Sequence, residues 1–540
     1  MPAHPNVNSA PRAGRLGPRL TERMAGGRTG AHVSTAARAD EARTAGRGLV
    51  SITGAKLWFI AVGYLVQFLL PRLLGSAAAY GLYATAINLA SMVNNVLIAA
   101  TVQSVSKLVS ENEEQAPATL RRALGVQLVL GLTIAGAAYA VAPWLAHDVL
   151  HDAALEPLLR VCCAIVVAYA LYAALIGSAN GRRLFQKQAA LDMTFSTMRT
   201  AALLGAAATG LGVLGAVSGF AAAAVAILGI ALVVVGTGKS GKTADWSRWL
   251  VILGPLWLYQ IFLNGTMQID LPILKALVAG NAAEAGATSE AAAELASQYA
   301  GYYRTAQTFA FVPYQLIISV TFVVFPLVSR ATSGGDLEAT RAYVRNAMRF
   351  SLLVLLAFAA PIAGASNGVL RIVYPAEYAA ADGALSVLAF AMVAFALFVI
   401  AATVLGGAGR PGTAATIAAI ALALVVGANL VLVGRAGANE SALVAAATGT
   451  AVGTAFALVA VGVVVHRQFG AFLPPVSVLR GLVAAAAATA VAHYVPHASR
   501  VMALVALTAG GLTYLALLVA TREVGRTELD LVRKIARRGK

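Results

Sequence analysis

The sequence predicts an all-α, polytopic membrane protein of about 14 transmembrane helices, built as two pseudo-symmetric six-helix lobes plus a C-terminal helix pair. Three observations carry this reading. Of 540 residues, 59% are hydrophobic and only 12% charged, too little polar surface to coat a soluble fold of this size. Uninterrupted apolar runs of roughly 20 residues recur, the length a helix needs to cross a hydrocarbon core of about 30 Å. They do not alternate as barrel strands would. The third observation is a pattern that occurs twice.

The stretch Ala300 to Ala331 shows the repeat best. Tyr80-Gly-Leu-Tyr83-Ala-Thr85-Ala86 matches Ala300-Gly-Tyr-Tyr303-Arg-Thr305-Ala306, and both segments run on to Leu-Val-Ser, at 108–110 and 327–329. Upstream, Gln67 with Leu70-Pro71 is echoed by Gln268 with Leu271-Pro272. Downstream, Tyr169-Ala-Leu-Tyr172 and Gly181-Arg182 are echoed by Phe395-Ala-Leu-Phe398 and Gly409-Arg410. Three matches in one order, with corresponding spacing apart from one loop, argue for internal duplication. Six helices per copy is an even number, so both copies enter the membrane in the same direction.

The predicted spans fall at 49–71, 80–103, 124–146, 158–179, 189–208, 216–236, 249–272, 300–328, 346–366, 383–405, 412–434, 441–465, 479–495 and 500–521. They divide the chain into a disordered basic tail (1–47), an N-lobe (48–240), a C-lobe (241–470), helices 13 and 14 (471–521) and a basic tail (522–540). The first tail lacks apolar periodicity. In the second, Thr527-Glu-Leu-Asp530 reads as a capping box opening a short cationic helix on the membrane surface.

A net charge of +17 invites a nucleic-acid reading, but its distribution removes it. Beginning with the N-terminal tail, alternate hydrophilic segments carry 31 of the 40 basic residues and the intervening ones 6. This is the positive-inside asymmetry of a cytoplasmic membrane protein with both termini in the cytoplasm. Lys56, Arg199 and Arg304 fall inside spans.

Polar side chains at membrane depth face neighbouring helices or a wet cavity, so they mark candidate sites. In the second span Asn88, Ser91 and Asn95 share a helical face. In the eighth, Arg304, Thr308, Phe311 and Gln315 form a stripe that the repeat maps onto Ala84, Asn88, Ser91 and Asn95. Two lobes facing each other across a cleft would oppose these stripes, with the positive charge in one only. The seventh span carries Tyr259, Gln260, Asn264, Thr266, Gln268 and Asp270; an ionised Asp270 in lipid must be paired or wet. Asn281 to Gln298, rich in alanine, is expected to lengthen a loop, and Pro361 to kink its helix. Cys162 and Cys163 are adjacent and read as packing residues.

Gly236-Thr-Gly-Lys-Ser-Gly241-Lys242-Thr243 fits the phosphate-loop pattern, which requires a short buried strand before it and a soluble helix after it. Membrane-length apolar runs stand in both places, so a basic loop accounts for the lysines.

Leu70-Pro-Arg-Leu-Leu-Gly75 with Tyr80-Gly-Leu-Tyr83, Gly210-Leu-Gly-Val-Leu-Gly-Ala216, Asp270, Gly301-Tyr-Tyr303 with Pro313, Phe325-Pro326, and Tyr374-Pro-Ala-Glu-Tyr378 carry a resemblance. Over residues 49–521 the chain resembles the multidrug, oligosaccharidyl-lipid and polysaccharide flippase superfamily, in its polysaccharide branch. The resemblance implies a transporter rather than an enzyme: a bacterial inner-membrane flippase moving a polyprenyl-pyrophosphate-linked oligosaccharide for cell-surface polysaccharide or lipopolysaccharide biosynthesis. It implies cationic residues holding the pyrophosphate, here Arg304, Lys56 and Arg199, in a cavity that Asn88, Asn95 and Gln315 would also line. Asp270 would couple transport to sodium or protons, with no other cofactor or metal. Membrane lipids and polysaccharide-assembly proteins are the further partners implied; nucleic acid is not. A murein lipid flippase or a cation-coupled drug exporter is the nearest alternative, and a membrane glycan ligase or polymerase a more distant one.

Overall fold

The computed structural model describes residues 51, 54–241, 246–315, 317, 324, 328–329, 331–332, 336–496 and 499–523. The tail 1–47, residues 524–540 and the Lys242-Thr243 end of the phosphate-loop pattern lie outside these. Among the described residues every regular element is helical. In order they are α1 Gly54–Leu74, α2 Ala77–Glu111, α3 Ala116–Trp144, α4 Leu155–Gly181, α5 Phe185–Ala208, α6 Gly212–Val235, α7 Trp246–Gln268 and α8 Asp270–Glu284. Then follow α9 Ser289–Ala310, α10 Leu337–Gly364, α11 Ser366–Val373, α12 Asp382–Gly407, α13 Pro411–Ala436, α14 Ser441–Phe469, α15 Pro475–Tyr494 and α16 Arg500–Ala520.

Eleven helices among the described residues are long and apolar enough to cross a bilayer, and the pair α7–α8, bent by 48°, makes twelve. The count of fourteen is therefore not confirmed. Helix α5 occupies the fifth predicted span, whereas α9 begins at Ser289 and overlaps the eighth only over 300–310; Lys187, Asp192 and Arg199 in one and Glu290, Glu294 and Arg304 in the other lower their hydropathy.

The packing order repeats. Helix α2 lies on α4, α3 on α4, α4 on α6 and α5 on α6; in the same sequence α9 lies on α12, α10 on α12, α12 on α14 and α13 on α14. Helices α15 and α16 pack on each other and on α10. Helix α2 and α9, equivalent in the repeat, cross at their equivalent glycines. A Cβ on Gly81 would stand 1.7 Å from the Ser297 carbonyl oxygen and 2.6 Å from the Gly301 nitrogen; one on Gly301 would stand 2.3 Å from the Ala77 oxygen. The contact is reciprocal, as a local two-fold relation requires.

Local chemistry sets the boundaries. Ser76 and Thr288 cap α2 and α9, their hydroxyls accepting from the Ala79 and Ala291 backbone nitrogens at 3.0 and 3.3 Å, the usual N-terminal solution for orphan donors. Pro272 lacks the N–H that would continue the ladder, so the span predicted to run straight to 272 breaks at Ile269. The Leu271 N–H donates instead to Asp270 Oδ1, at 2.9 Å. The alanine-rich segment expected as a loop is helix on both sides of a short turn at 285–288, as alanine's propensity favours. Pro361 lies just before the end of α10, and the chain breaks after it at Ala365.

Candidate functional site

A cavity of about 420 Å³ opens between the two repeats, lined from α1, α2, α4, α5, α6, α7 and α9. The predicted stripe faces it in full: Arg304 and Thr308 from α9, and Phe311 and Gln315 just beyond its end, all line it. On α2 the lining residues are Tyr83, Ile87, Ser91, Asn94, Asn95 and Ile98. That face is rotated from the predicted one, which admits Ser91 and Asn95 and leaves out Asn88. Asn88 is one residue, about 100°, around from Ile87, and is buried in packing with neither amide atom hydrogen-bonded among the described residues.

Arg199 lines the cavity from α5. Its guanidinium stacks over Phe59 at 4.9 Å, Phe220 at 5.5 Å and Phe195 at 5.9 Å, an arrangement that favours a cation over aromatic faces. A Cβ on Gly63 would come within 3.9 Å of its Nη2, so the head group lies directly along α1. Lys56 does not line the cavity. It is exposed at the start of α1, where its charge interacts with Asp192, and Tyr172 donates to that carboxylate at 3.1 Å.

Asp270 lies outside the cavity and is 1% exposed. Its Oδ2 accepts from the Tyr303 hydroxyl at 2.7 Å and the Thr450 hydroxyl at 2.8 Å. Its Oδ1 accepts from Gln307 Nε2 at 3.0 Å and from the Leu271 N–H. Four donors meet the lone pairs of one carboxylate, the satisfaction a buried charge needs. Gln307 also accepts from Arg304 Nη1, at 3.3 Å. One side chain thus joins the buried carboxylate to the cavity arginine. The sequence reading gave Gln307 no role; the signal was its position three residues after Arg304, on the same helical face.

Where α1 ends and α2 begins, the repeats are locked together. Lys275, fully buried, donates to Asp152 Oδ2 and to Ser297 Oγ, each at 2.6 Å, and Ser297 donates to Asp152 at 2.9 Å. Arg72 donates to the Val373 carbonyl. Tyr378 packs edge-on against Tyr80 at 6.4 Å and Tyr302 at 5.4 Å. With the glycine crossing, these contacts close this face. Asn95, farther along α2, and Gln315, beyond the end of α9, are exposed, so the cavity opens toward the opposite side.

Only Gly236 to Gly241 of the phosphate-loop pattern lie among the described residues. Lys239 N donates to the Pro117 carbonyl at 3.1 Å, which lays the loop across the start of α3, and no strand precedes it among the described residues. Cys162 and Cys163 are free and buried.

The sequence profile of the polysaccharide biosynthesis protein family matches residues 45–332. No curated protein sequence matches the chain. Among solved structures, the lipid II flippase MurJ in an inward closed conformation is similar, with a TM-score of 0.71 at 14% identity over 88% of this chain and 100% of that one. A MOP superfamily transporter from Pyrococcus furiosus gives 0.59 at 14% identity, over 78% and 95%. The eukaryotic MATE transporter AtDTX14 gives 0.55 at 14% identity, over the same shares.

Proposed function

Since the chain belongs to the polysaccharide biosynthesis protein family, within the flippase superfamily and with its transporter fold, we propose that it flips a polyprenyl-pyrophosphate-linked oligosaccharide by alternating access. One observation carries this: two arginines, one from each repeat, line a single cavity at membrane depth. A pyrophosphate leaving water loses its hydration and needs charge-assisted donors in exchange. Arg304 and Arg199 offer forked donors, while Asn95, Asn264, Gln268 and Gln315 offer amides to sugar hydroxyls. The volume suits a head group rather than a whole glycan, which leaves the polyprenyl tail in the bilayer.

The moving units are the lobes 48–240 and 241–470. Positive-inside charge makes the locked face external and the cavity inward-opening, in a bacterial inner membrane with cytoplasmic termini. Asp270 is the ion-linked group. Taking up a proton, or ceding donors to a sodium ion, changes what it accepts from Gln307 and so where Gln307 holds Arg304. This is a two-state element that both an ion and a substrate can bias.

The test is a vesicle flipping assay with a fluorescent polyprenyl-pyrophosphate oligosaccharide. Arg304→Gln and Arg199→Gln should each slow flipping at least roughly tenfold, the loss of a charge-assisted bond, with folded protein recovered in full. Unchanged flipping in both would remove the pyrophosphate route. A second reading, a murein lipid cargo, is favoured by the full-length similarity to MurJ. Rescue of a strain lacking its murein lipid flippase, and not of one lacking a surface-glycan flippase, would decide for it.

A further inference from the structure

A second cavity, of about 680 Å³, lies at the membrane face opposite the locked one, between the start of α10, the end of α14 and the turn into α15. One wall is basic: Arg341, Arg345, His466 and Arg467. The other is apolar and includes Val459, Val463, Phe472 and Leu473. Among the described residues no carboxylate pairs with Arg341, Arg345 or Arg467. Nearby, Arg349 and Arg480 are paired, to Glu523 at 2.7 and 3.0 Å.

The basic wall is also shaped. Arg341 Nε donates to the Phe469 carbonyl at 2.7 Å, at the end of α14. Gly470 turns the chain there with φ of 69°, and a Cβ on it would come within 3.1 Å of Arg341 Nη2. The apolar wall runs on into surface that no protein covers: Val459 is 65% exposed, Val463 46% and Leu479 65%. In a membrane protein such surface meets acyl chains, and the ends of spans meet head groups. Basic pockets between helices at this depth suit phospholipid head groups.

We propose that this cavity binds an anionic phospholipid of the surrounding leaflet, its phosphate against Arg345 and Arg467 and its proximal acyl chains against Val459, Val463 and Phe472. Free phosphate has no use for the apolar wall, and a zwitterionic lipid carries its own cation to the arginines. The lipid bridges α10 to the junction of α14 and α15, where the second repeat meets the final helix pair. The inference is independent of the cargo.

Full-length protein in nanodiscs of phosphatidylglycerol and phosphatidylcholine, released into native mass spectrometry, tests it. Wild type should retain phosphatidylglycerol preferentially. Arg345→Gln with Arg467→Gln should weaken retention roughly fivefold per charge removed, while Arg345→Lys with Arg467→Lys retains most of it and Arg410→Gln, on another loop, all of it. Equal retention of both lipids, unchanged retention in the Gln variant, or displacement by excess inorganic phosphate would each overturn the assignment.

Discussion

The two repeats share helices and packing order but differ in the polar and charged residues they place in and beside the cavity. Where the second carries Arg304, Gln307 and Asp270, the correspondence places Ala84, Ile87 and Leu69 in the first. Where the first carries Arg199, the Gly181-Arg182 and Gly409-Arg410 match places Gly427 in the second. Helix α1 crosses in one piece, whereas its counterpart breaks into α7 and α8 at the carboxylate. Duplication supplied the frame and the reciprocal glycine crossing. The charges are distributed unevenly: each half gives one arginine to the cavity, and the second holds the buried Asp270 carboxylate.

The locked face gives the strongest test of how the unlike halves hold together. Asp152 belongs to the first and Lys275 and Ser297 to the second, so opening that face must break a buried ion pair. Removing one partner leaves the other charge buried and unpaired, which costs about 3–5 kcal/mol. Asp152→Ala and Lys275→Ala should each lose about that much, read from thermal unfolding in detergent. Asp152→Asn combined with Lys275→Met should recover most of it. If both singles unfold like wild type, the pair does not hold the halves.

The frame was legible because apolar run length and repeated short motifs survive in a sequence. Arg304, Arg199, Asn95 and Gln315 were legible as polar residues at membrane depth, and the cavity gathers all four. Asn88 and Lys56 show where that logic stops. A helical face is fixed only relative to its neighbours, so the α2 stripe was read about a sixth of a turn off, and a lysine near a helix start reaches the surface instead. Gln307 shows in the sequence only as a neighbour of Arg304 on one helical face, and the Asp152–Lys275 pair does not show at all. The former needs the Asp270 shell, and the latter joins residues whose proximity only the folded halves create.

A smaller effect tests the asymmetry itself. Gln307→Ile gives the second repeat the first one's residue and cuts the link between Asp270 and Arg304. Leaving one carboxylate oxygen short of a donor costs about 1–3 kcal/mol. Flipping should persist at a reduced rate and lose the ion-gradient dependence proposed for it, while Gln307→Glu, which cannot donate when ionised, should behave likewise. Gradient-driven flipping at the wild-type rate in Gln307→Ile would show that Asp270 acts without this link.

The smallest effect concerns α15 and α16, which have no counterpart in the first repeat and are tied to the second by Glu523. Burial alone would raise the Glu523 carboxyl. Hydrogen bonds from Ser477, Arg349 and Arg480, with the Arg349 charge, outweigh it and hold the group below its ordinary 4.5. A carboxyl depressed in the folded state stabilises above its unfolded value, and that contribution is lost as pH falls through the depressed one. Thermal unfolding of wild type should therefore shift downward below the ordinary glutamate range. Glu523→Gln, already without the charge, should start slightly lower at neutral pH and lack that component of the acid shift. The same acid shift in both proteins would mean that carboxylates elsewhere set it, and that the helix pair is held to α10 by apolar packing alone.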